Sequence, residues 1–257
     1  MAATRTYKMQ ALVLRKTKLG ERDLIVTLLS DSGELVKAVA KGARKPGSSF
    51  AAKLDLFSSV DLMLAKGRSL DVVTDARFTS ATPRLSFGLE TGACAAAVAE
   101  LLSTVCQEGL DHPRLYEMAK AAFQAIAAQD AVHAIALADA ALIKIVSSAG
   151  FRPNLDACSD CATSIDLSEA GSLTFFSVEE GGVLCPSCAR QLGGVPIESD
   201  TLAWTRSLLL STFDQVSSFD ITPTQSFAVL QLLKSWIDFY VGRSLKSITY
   251  LFTCGLF

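Results

Sequence analysis

The chain has 257 residues, of which 50% are hydrophobic and 19% charged, and its mean hydropathy is +0.34. This composition provides a large core and excludes a disordered chain. The longest uncharged stretch covers residues 221–233, fewer than the roughly 20 that a membrane span requires, and the first residues lack the apolar run of a secretion signal. We therefore expect a cytoplasmic protein that has no membrane partner.

The net charge of -2 hides an uneven distribution along the chain. Residues 1–80 contain 14 Lys and Arg against 8 Asp and Glu, a net charge of +6, whereas the remainder contains 10 against 18, a net charge of -8. A basic segment in an acidic protein indicates a module that binds nucleic acid. A merely soluble basic surface is the alternative explanation.

The segment from Tyr7 to Phe78 has the pattern of five short strands. Apolar residues alternate with polar ones, and clusters such as 30–33 and 66–69 mark turns between the strands. Five strands in about 70 residues predict a small barrel of the oligonucleotide-binding (OB) type, a fold that often binds nucleic acids. A barrel of the SH3 type has nearly the same pattern, so the strand order stays open.

Beyond Pro83 the pattern becomes helical, with apolar residues recurring every three and four positions. One such helix follows Pro113, a second ends at Gly150, and a third starts at Thr222, where Gln225 has the spacing of a capping box. These apolar stripes indicate core packing.

Four of the seven cysteines form two pairs, Cys158 with Cys161 and Cys185 with Cys188, separated by 23 residues. Two C-x2-C turns at such a separation are typical of a zinc ribbon, in which four thiolates complete a tetrahedron around the ion. The full set of cysteine ligands leaves no open position for water, so we expect one structural Zn²⁺. Between the pairs, residues 164–167 and 173–178 have the pattern of two strands joined by a turn at 169–172.

Other uses of these cysteines fit the sequence less well than zinc does. A redox-active pair at 185–188 is possible in principle, but a second pair at metal spacing argues against it. A zinc deaminase requires H-x-E, whereas Arg114 and Ile135 follow two residues after the histidines at 112 and 133. Disulfides are rare in a cytosolic protein. The chain also lacks the phosphate-binding and dinucleotide-binding glycine motifs, so an enzyme is the weaker class.

Several stretches together resemble a known family. These are 11–14, 20–29, the A-x-A-K-G-A-R-K segment at 38–45, Lys66-Gly67-Arg68, the four cysteines and 242–247. The combination resembles the bacterial recombination mediator family RecO over nearly the whole chain. The resemblance implies an α+β multidomain protein with an OB-fold barrel at 1–80, a helical domain at 81–153 and 195–257, and an inserted zinc ribbon with four cysteine ligands at 154–194.

The resemblance also implies a function. Proteins of this family bind single- and double-stranded DNA, anneal complementary strands and act in DNA repair and recombination without being enzymes. Their partners are RecR, the single-strand-binding protein, RecF and RecA, which they help to load onto DNA. We accordingly expect a cytoplasmic protein associated with the nucleoid.

Candidate DNA-binding residues follow from the resemblance and from charge. The basic positions that match the family are Lys41, Arg44, Lys45 and Arg68; charge alone adds Arg15, Lys16, Lys18, Arg22, Lys37 and Lys53. Phe50 is the one aromatic residue placed to stack on a base, with a hydrophobic plug as its alternative role.

The acidic carboxyl-terminal part is expected to bind proteins. Arg243 and Lys246, one turn apart if their segment is helical, are candidate anchors for the acidic tail of the single-strand-binding protein. Balancing the end of the preceding helix is an equally good explanation.

A different class of function is a zinc-ribbon interaction protein or transcription-type factor that also carries an OB-like domain. From Asp156 to Cys188 the chain has six acidic residues and no Lys or Arg. Such a ribbon repels phosphates, so it is suited to a protein partner.

Overall fold

The computed structural model describes residues 5–79, 85–168 and 171–257. A barrel comes first and a helical domain second, and a small sheet is inserted between the helices. The predicted boundary between residues 80 and 81 lies outside the described residues.

Five strands close into the barrel: β1 (Thr6–Leu19), β2 (Asp23–Ser30), β3 (Leu35–Ala40), β4 (Ser59–Ala65) and β5 (Asp71–Phe78). Their order around the barrel is β1-β2-β3-β5-β4, and β4 pairs with β1 to close the ring. All neighbouring pairs are antiparallel except β3 with β5. This order is that of the OB fold, so the prediction of an OB barrel is confirmed and the SH3 alternative is excluded.

Strand β1 is 14 residues long because it serves both halves of the barrel. Its first half pairs with β4 and its second half with β2, and a bulge between Val13 and Arg15 turns the strand from one partner to the other. Alternation puts Ala11 and Val13 in the barrel interior and Leu12 and Leu14 on its outer surface.

The helical domain contains seven of the eight described helices: α1 (Leu89–Val105), α2 (Pro113–Ala127), α3 (Ala131–Ser148), α5 (Ser199–Leu210), α6 (Phe213–Val216), α7 (Pro223–Tyr240) and α8 (Lys246–Thr253). The predicted capping box is present at the start of α7. The Thr222 side chain accepts a hydrogen bond from the Gln225 backbone amide, and the Gln225 side chain accepts one from the Thr222 backbone amide. Pro113 occupies the first turn of α2, as expected.

The inserted segment carries β6 (Leu173–Ser177), β7 (Gly182–Leu184), the short helix α4 (Pro186–Leu192) and β8 (Val195–Glu198). The sheet order is β7-β6-β8. The predicted strand at 164–167 is wrong, because only Ser164 forms an isolated bridge, with Ala157. Two of the four residues of the predicted turn at 169–172 lie outside the described residues. The sheet continues through β8, four residues beyond the predicted end of the ribbon at 194.

One hydrophobic core joins the barrel to the helices. Leu12, Leu14, Leu29, Leu35 and Phe57 on the outside of the barrel belong to the same buried cluster as α1, α2 and α3. The ribbon also contributes to that cluster, through residues that include Phe176 and Val183. The three parts therefore share a single packed interior.

The turn between β2 and β3 is bonded to the loop between α1 and α2. The His112 amide donates to the Ser32 carbonyl at 2.7 Å, and the Gly109 amide donates to the Glu34 carboxylate at 2.7 Å. Gly33 has φ of +85°, and a Cβ there would lie 2.1 Å from the His112 carbonyl oxygen. Only glycine fits this position, because both its conformation and its neighbour exclude a side chain.

Helix α3 is the one helix among the described residues with the length and hydropathy of a membrane span. In this fold 67% of its residues are buried, and the helix packs against α1, α2, α5 and α7. It is therefore placed as the central helix of the domain core.

Asp139 lies at the centre of α3 with 0% exposure, and neither carboxylate oxygen has a hydrogen-bond partner. Burial raises the pKa of this carboxyl well above its ordinary value. In the unfolded chain the same group ionises near pH 4. Between these two pKa values the carboxyl is neutral in the folded protein and ionised in the unfolded chain. Ionisation therefore stabilises the unfolded chain over this pH range.

We expect Asp139→Asn to stabilise the protein at neutral pH. Because the folded pKa exceeds the unfolded one, the wild type loses about 1.4 kcal/mol per pH unit above pH 4 until the folded pKa is passed, and the asparagine variant does not. Thermal unfolding between pH 4 and pH 8 measures the difference, with exposed Asp220→Asn as the control. Parallel pH profiles for wild type and Asp139→Asn would contradict it.

Candidate nucleic-acid face and metal centre

Two rows of side chains cross the outer surface of β1, β2 and β3. Arg15 pairs with Thr27, and Thr27 pairs with Lys37. Directly opposite residues point to the same side of a sheet, and the neighbours of Thr27 belong to the barrel interior, so this row faces outward. Arg15 and Lys37 are exposed at its two ends.

The second row is apolar. Thr17, Ile25, Val39 and Val72 follow one another across β1, β2, β3 and β5, and the last three are half-buried. We call the two rows together the barrel face. In OB folds the surface of strands 2 and 3, with the loops after strands 1 and 4, binds oligonucleotides.

A loop-to-loop contact brings further cations to the end of the barrel face. The Arg44 amide donates to the Arg22 carbonyl at 3.0 Å, and the Arg44 guanidinium donates to the Gly20 carbonyl at 2.8 Å. The Gly42 amide donates to the Asp23 carboxylate at 2.7 Å. These bonds hold the loop after β3 against the turn after β1, so the exposed side chains of both segments come together: Lys18, Arg22, Lys41, Arg44 and Lys45.

Arg68 lies in the turn between β4 and β5. Its neighbour Lys66 pairs with Asp71 at 3.0 Å and covers the Tyr7 ring, whereas Arg68 is exposed. Asp71 is opposite Ala38 of β3, so this turn borders the barrel face near Lys37.

The other predicted DNA contacts are less available. Lys16 pairs with Asp55 at 2.6 Å, and Lys53 is half-buried. Phe50 is half-buried and packs against the barrel core, which is the arrangement of a hydrophobic plug. Base stacking by Phe50 stays a prediction.

Arg243 and Lys246 are both exposed, but the segment between α7 and α8 is not helical before Lys246. The condition for the two residues to lie one helical turn apart is therefore not met, and their role as an anchor stays a prediction. Both face the barrel across a cleft, with Arg15 and Lys16 on its other side.

The first pair of cysteines forms a tight turn. The Cys158 amide donates to the Thr163 carbonyl at 2.8 Å, and the Ala162 amide donates to the Cys158 carbonyl at 2.9 Å. Ala162 has φ of +60°, so the chain reverses within the motif. The second pair lies at the start of a helix. Cys185 occupies the N-cap position of α4, Pro186 is the first residue of that helix, and Cys188 lies in its first turn.

The four sulfur atoms lie within 4.8 Å of one another, and those of Cys161 and Cys185 are 3.7 Å apart. A tetrahedron with Zn–S distances of roughly 2.3 Å has sulfur atoms about 3.8 Å apart. Burial opposes ionisation of Cys158, but amides of 160, 161 and 185 donate to its sulfur and bring its pKa down to about 6. A thiolate held by backbone amides is the form that binds metal, so the cluster fits a metal ion.

Sequence reasoning missed the apolar row of the barrel face. Ile25 and Val39 look like core residues in the sequence because each lies in a mostly apolar run, at 24–29 and at 35–40. The signal that identifies them is strand pairing, which puts both opposite neighbours on the outer surface.

Comparison with known proteins places these features in a family. Residues 1–82 match the amino-terminal domain model of recombination protein O, and residues 87–248 match its carboxyl-terminal domain model. A DNA repair protein RecO from Desulfitobacterium hafniense is 30% identical over 246 residues, covering 94% of this chain and 87% of that protein. One from a Nocardioides species is 31% identical over 248 residues, covering 95% and 98%. The barrel, the helical domain and the four-cysteine cluster thus belong to a DNA repair protein of the RecO family.

Proposed function

We propose that the protein binds single- and double-stranded DNA on the barrel face, anneals complementary strands and assists the loading of RecA. The observation that carries the proposal is the set of exposed cations around the barrel face. Among the described residues, eight of the predicted contacts form no ion pair: Arg15, Lys18, Arg22, Lys37, Lys41, Arg44, Lys45 and Arg68.

Annealing follows from the charge of such a surface. Two strands repel each other through their phosphates, and a surface that neutralises both backbones lowers that repulsion without reading bases. Few aromatic side chains border the face, so we expect weak sequence preference. Arg44 keeps four of its five guanidinium donors after the bond to Gly20, which leaves it able to contact phosphate.

The family supplies the setting of this activity. We propose RecR, the single-strand-binding protein, RecF and RecA as partners, and action on the nucleoid in the cytoplasm without catalytic turnover. Zn²⁺ is the metal that we propose for the four-cysteine cluster, since four thiolates in a tetrahedron suit it. Its role there is to hold the ribbon.

A strand-annealing assay tests the proposal. Complementary oligonucleotides, bare or coated with single-strand-binding protein, are mixed with the protein at two salt concentrations. We expect faster annealing in both cases and a steep decline with salt, because phosphate contacts release counterions. Annealing at the uncatalysed rate at low salt would contradict the proposal.

A further inference from the structure

A cleft of about 460 Å³ separates the barrel from the helical domain. Four cations line it, Arg15 and Lys16 from β1 on one wall and Arg243 and Lys246 on the other. Apolar side chains that include Leu14, Leu56 and Ala96 also line it, and helix α1 adds Glu100, Ser103 and Thr104. We call this the junction cleft.

The carboxyl-terminal wall is fixed by Glu100. Its carboxylate accepts from the Ser247 amide at 2.8 Å, from the Ser247 hydroxyl and from the Lys246 amide at 3.3 Å. Burial opposes ionisation of Glu100, but these bonds and the positive charge of Arg15 hold its pKa below its ordinary value. Leu245 is buried beneath the same segment, with 1% exposure. The backbone that carries Arg243 and Lys246 is thereby held in place beside the barrel.

Three of the four cations form no close ion pair, although Arg15 lies near enough to the Glu100 carboxylate to interact with its charge. Within the described parts of the chain, Arg15, Arg243 and Lys246 form no ion pair, and only Lys16 does, with Asp55. Elsewhere in the described helical part, Lys120, Arg206 and Lys234 form ion pairs, and the exposed cations that form none, such as Arg114 and Arg190, lie apart from one another in the chain. An excess of unpaired positive charge in a cleft favours an anionic ligand.

We propose that the junction cleft binds the phosphates of a single DNA strand that continues from the barrel face. This inference rests on the proposed DNA binding and extends it to the helical domain. Arg15 connects the two surfaces. It is the first residue of the outward row that continues with Thr27 and Lys37, and it also lines the cleft. The apolar side chains in the lining suit the face of a base, and the cations suit the phosphates of its backbone.

An acidic peptide is the competing ligand, and it is the role that the sequence suggests for Arg243 and Lys246. Position favours DNA, because two of the four cations belong to the barrel strand that already carries the barrel face. A peptide anchored by the helical domain alone has no use for Arg15 and Lys16.

The experiment uses the full chain and two oligothymidylates, one of about 8 nucleotides, within the range that one OB fold covers, and one of about 25. Arg243→Ala with Lys246→Ala should leave binding of the short strand unchanged. For the long strand it should flatten the slope of log K against log salt by up to about 1.4, at roughly 0.7 per lost contact. Arg114→Ala with Arg190→Ala removes two exposed cations of the same part of the chain outside the cleft and serves as the control.

Each outcome separates this inference from the proposed function. If the long strand binds to the Arg243 and Lys246 variant as it does to wild type while barrel-face variants lose binding, the cleft assignment is wrong and the barrel proposal stands. The same holds if that variant loses only its affinity for a poly-glutamate peptide. If wild type binds neither strand, the proposed function itself fails. Unchanged thermal unfolding of both variants ensures that the comparison concerns binding.

Discussion

Arg44→Glu with Lys45→Glu will weaken binding to single- and double-stranded DNA alike, whatever the base sequence. Both side chains lie exposed in the loop that is bonded to the turn after β1, where the cations of the barrel face are densest. Neutral replacements should flatten the slope of log K against log salt by up to ~0.7 per contact for single strands and ~0.9 for duplex. Reversal of charge adds repulsion, so its effect on affinity exceeds that of neutralisation. Fluorescence anisotropy over a salt series measures both.

The matched control changes the same number of charges on another side of the barrel. Lys8 and Arg77 are exposed on β1 and β5 and point outward where these strands pair with β4. Lys8→Glu with Arg77→Glu alters net charge equally and should leave the salt slope close to wild type. Equal losses in the two double variants would mean that total charge, and not the barrel face, governs binding.

We expect disruption of the proposed zinc site to cost the protein more stability than any surface change. Cys158→Ser removes one of four sulfur ligands, and loss of a metal is among the few single-residue effects that exceed about 4 kcal/mol. The ribbon shares the main hydrophobic core, and the Tyr240 hydroxyl donates to the Val178 carbonyl at 2.8 Å. We therefore expect a lower melting temperature for the ribbon and the helices around it.

Elemental analysis and thermal unfolding check this prediction. Wild type purified under reducing conditions should contain one zinc per chain, and a chelator should lower its melting temperature to that of Cys158→Ser. Cys254→Ser changes a thiol outside the cluster and should retain the zinc. Reduced wild type without metal, or two disulfides in its place, would contradict zinc binding and favour a redox pair.

The sequence predicts those parts of the fold that depend on near neighbours. Alternation in β1 and β4, the capping box at Thr222 and the proline at 113 each concern residues within one element, and all are confirmed. The strand predicted at 164–167 is wrong because this segment pairs with no strand: the sheet forms instead from the hairpin of β6 and β7, and β8 adds to β6 from farther along the chain.

The same distinction between local and long-range contacts separates the candidate sites that the sequence predicts from those that it does not. The cysteine spacing predicts a metal cluster because each pair is local, and the four sulfur atoms do come together. The cation surface depends on contacts such as that of Arg44 with the turn at Gly20, over 24 residues, which no local pattern contains. The approach of Arg15 and Arg243 across the junction cleft depends on the placement of two domains, which no pattern in the sequence specifies.

The outer surface of the barrel that rests on the helices has a practical consequence for anyone who divides the chain. A fragment that ends near residue 79 would uncover the buried leucines at 12, 14, 29 and 35 together with Phe57. Such a fragment would expose a contiguous hydrophobic patch and would self-associate, since exposed patches of this kind drive aggregation. Measurements of DNA binding by a truncated barrel would then report on aggregates, so the activity of this barrel has to be dissected by point substitution in the intact chain.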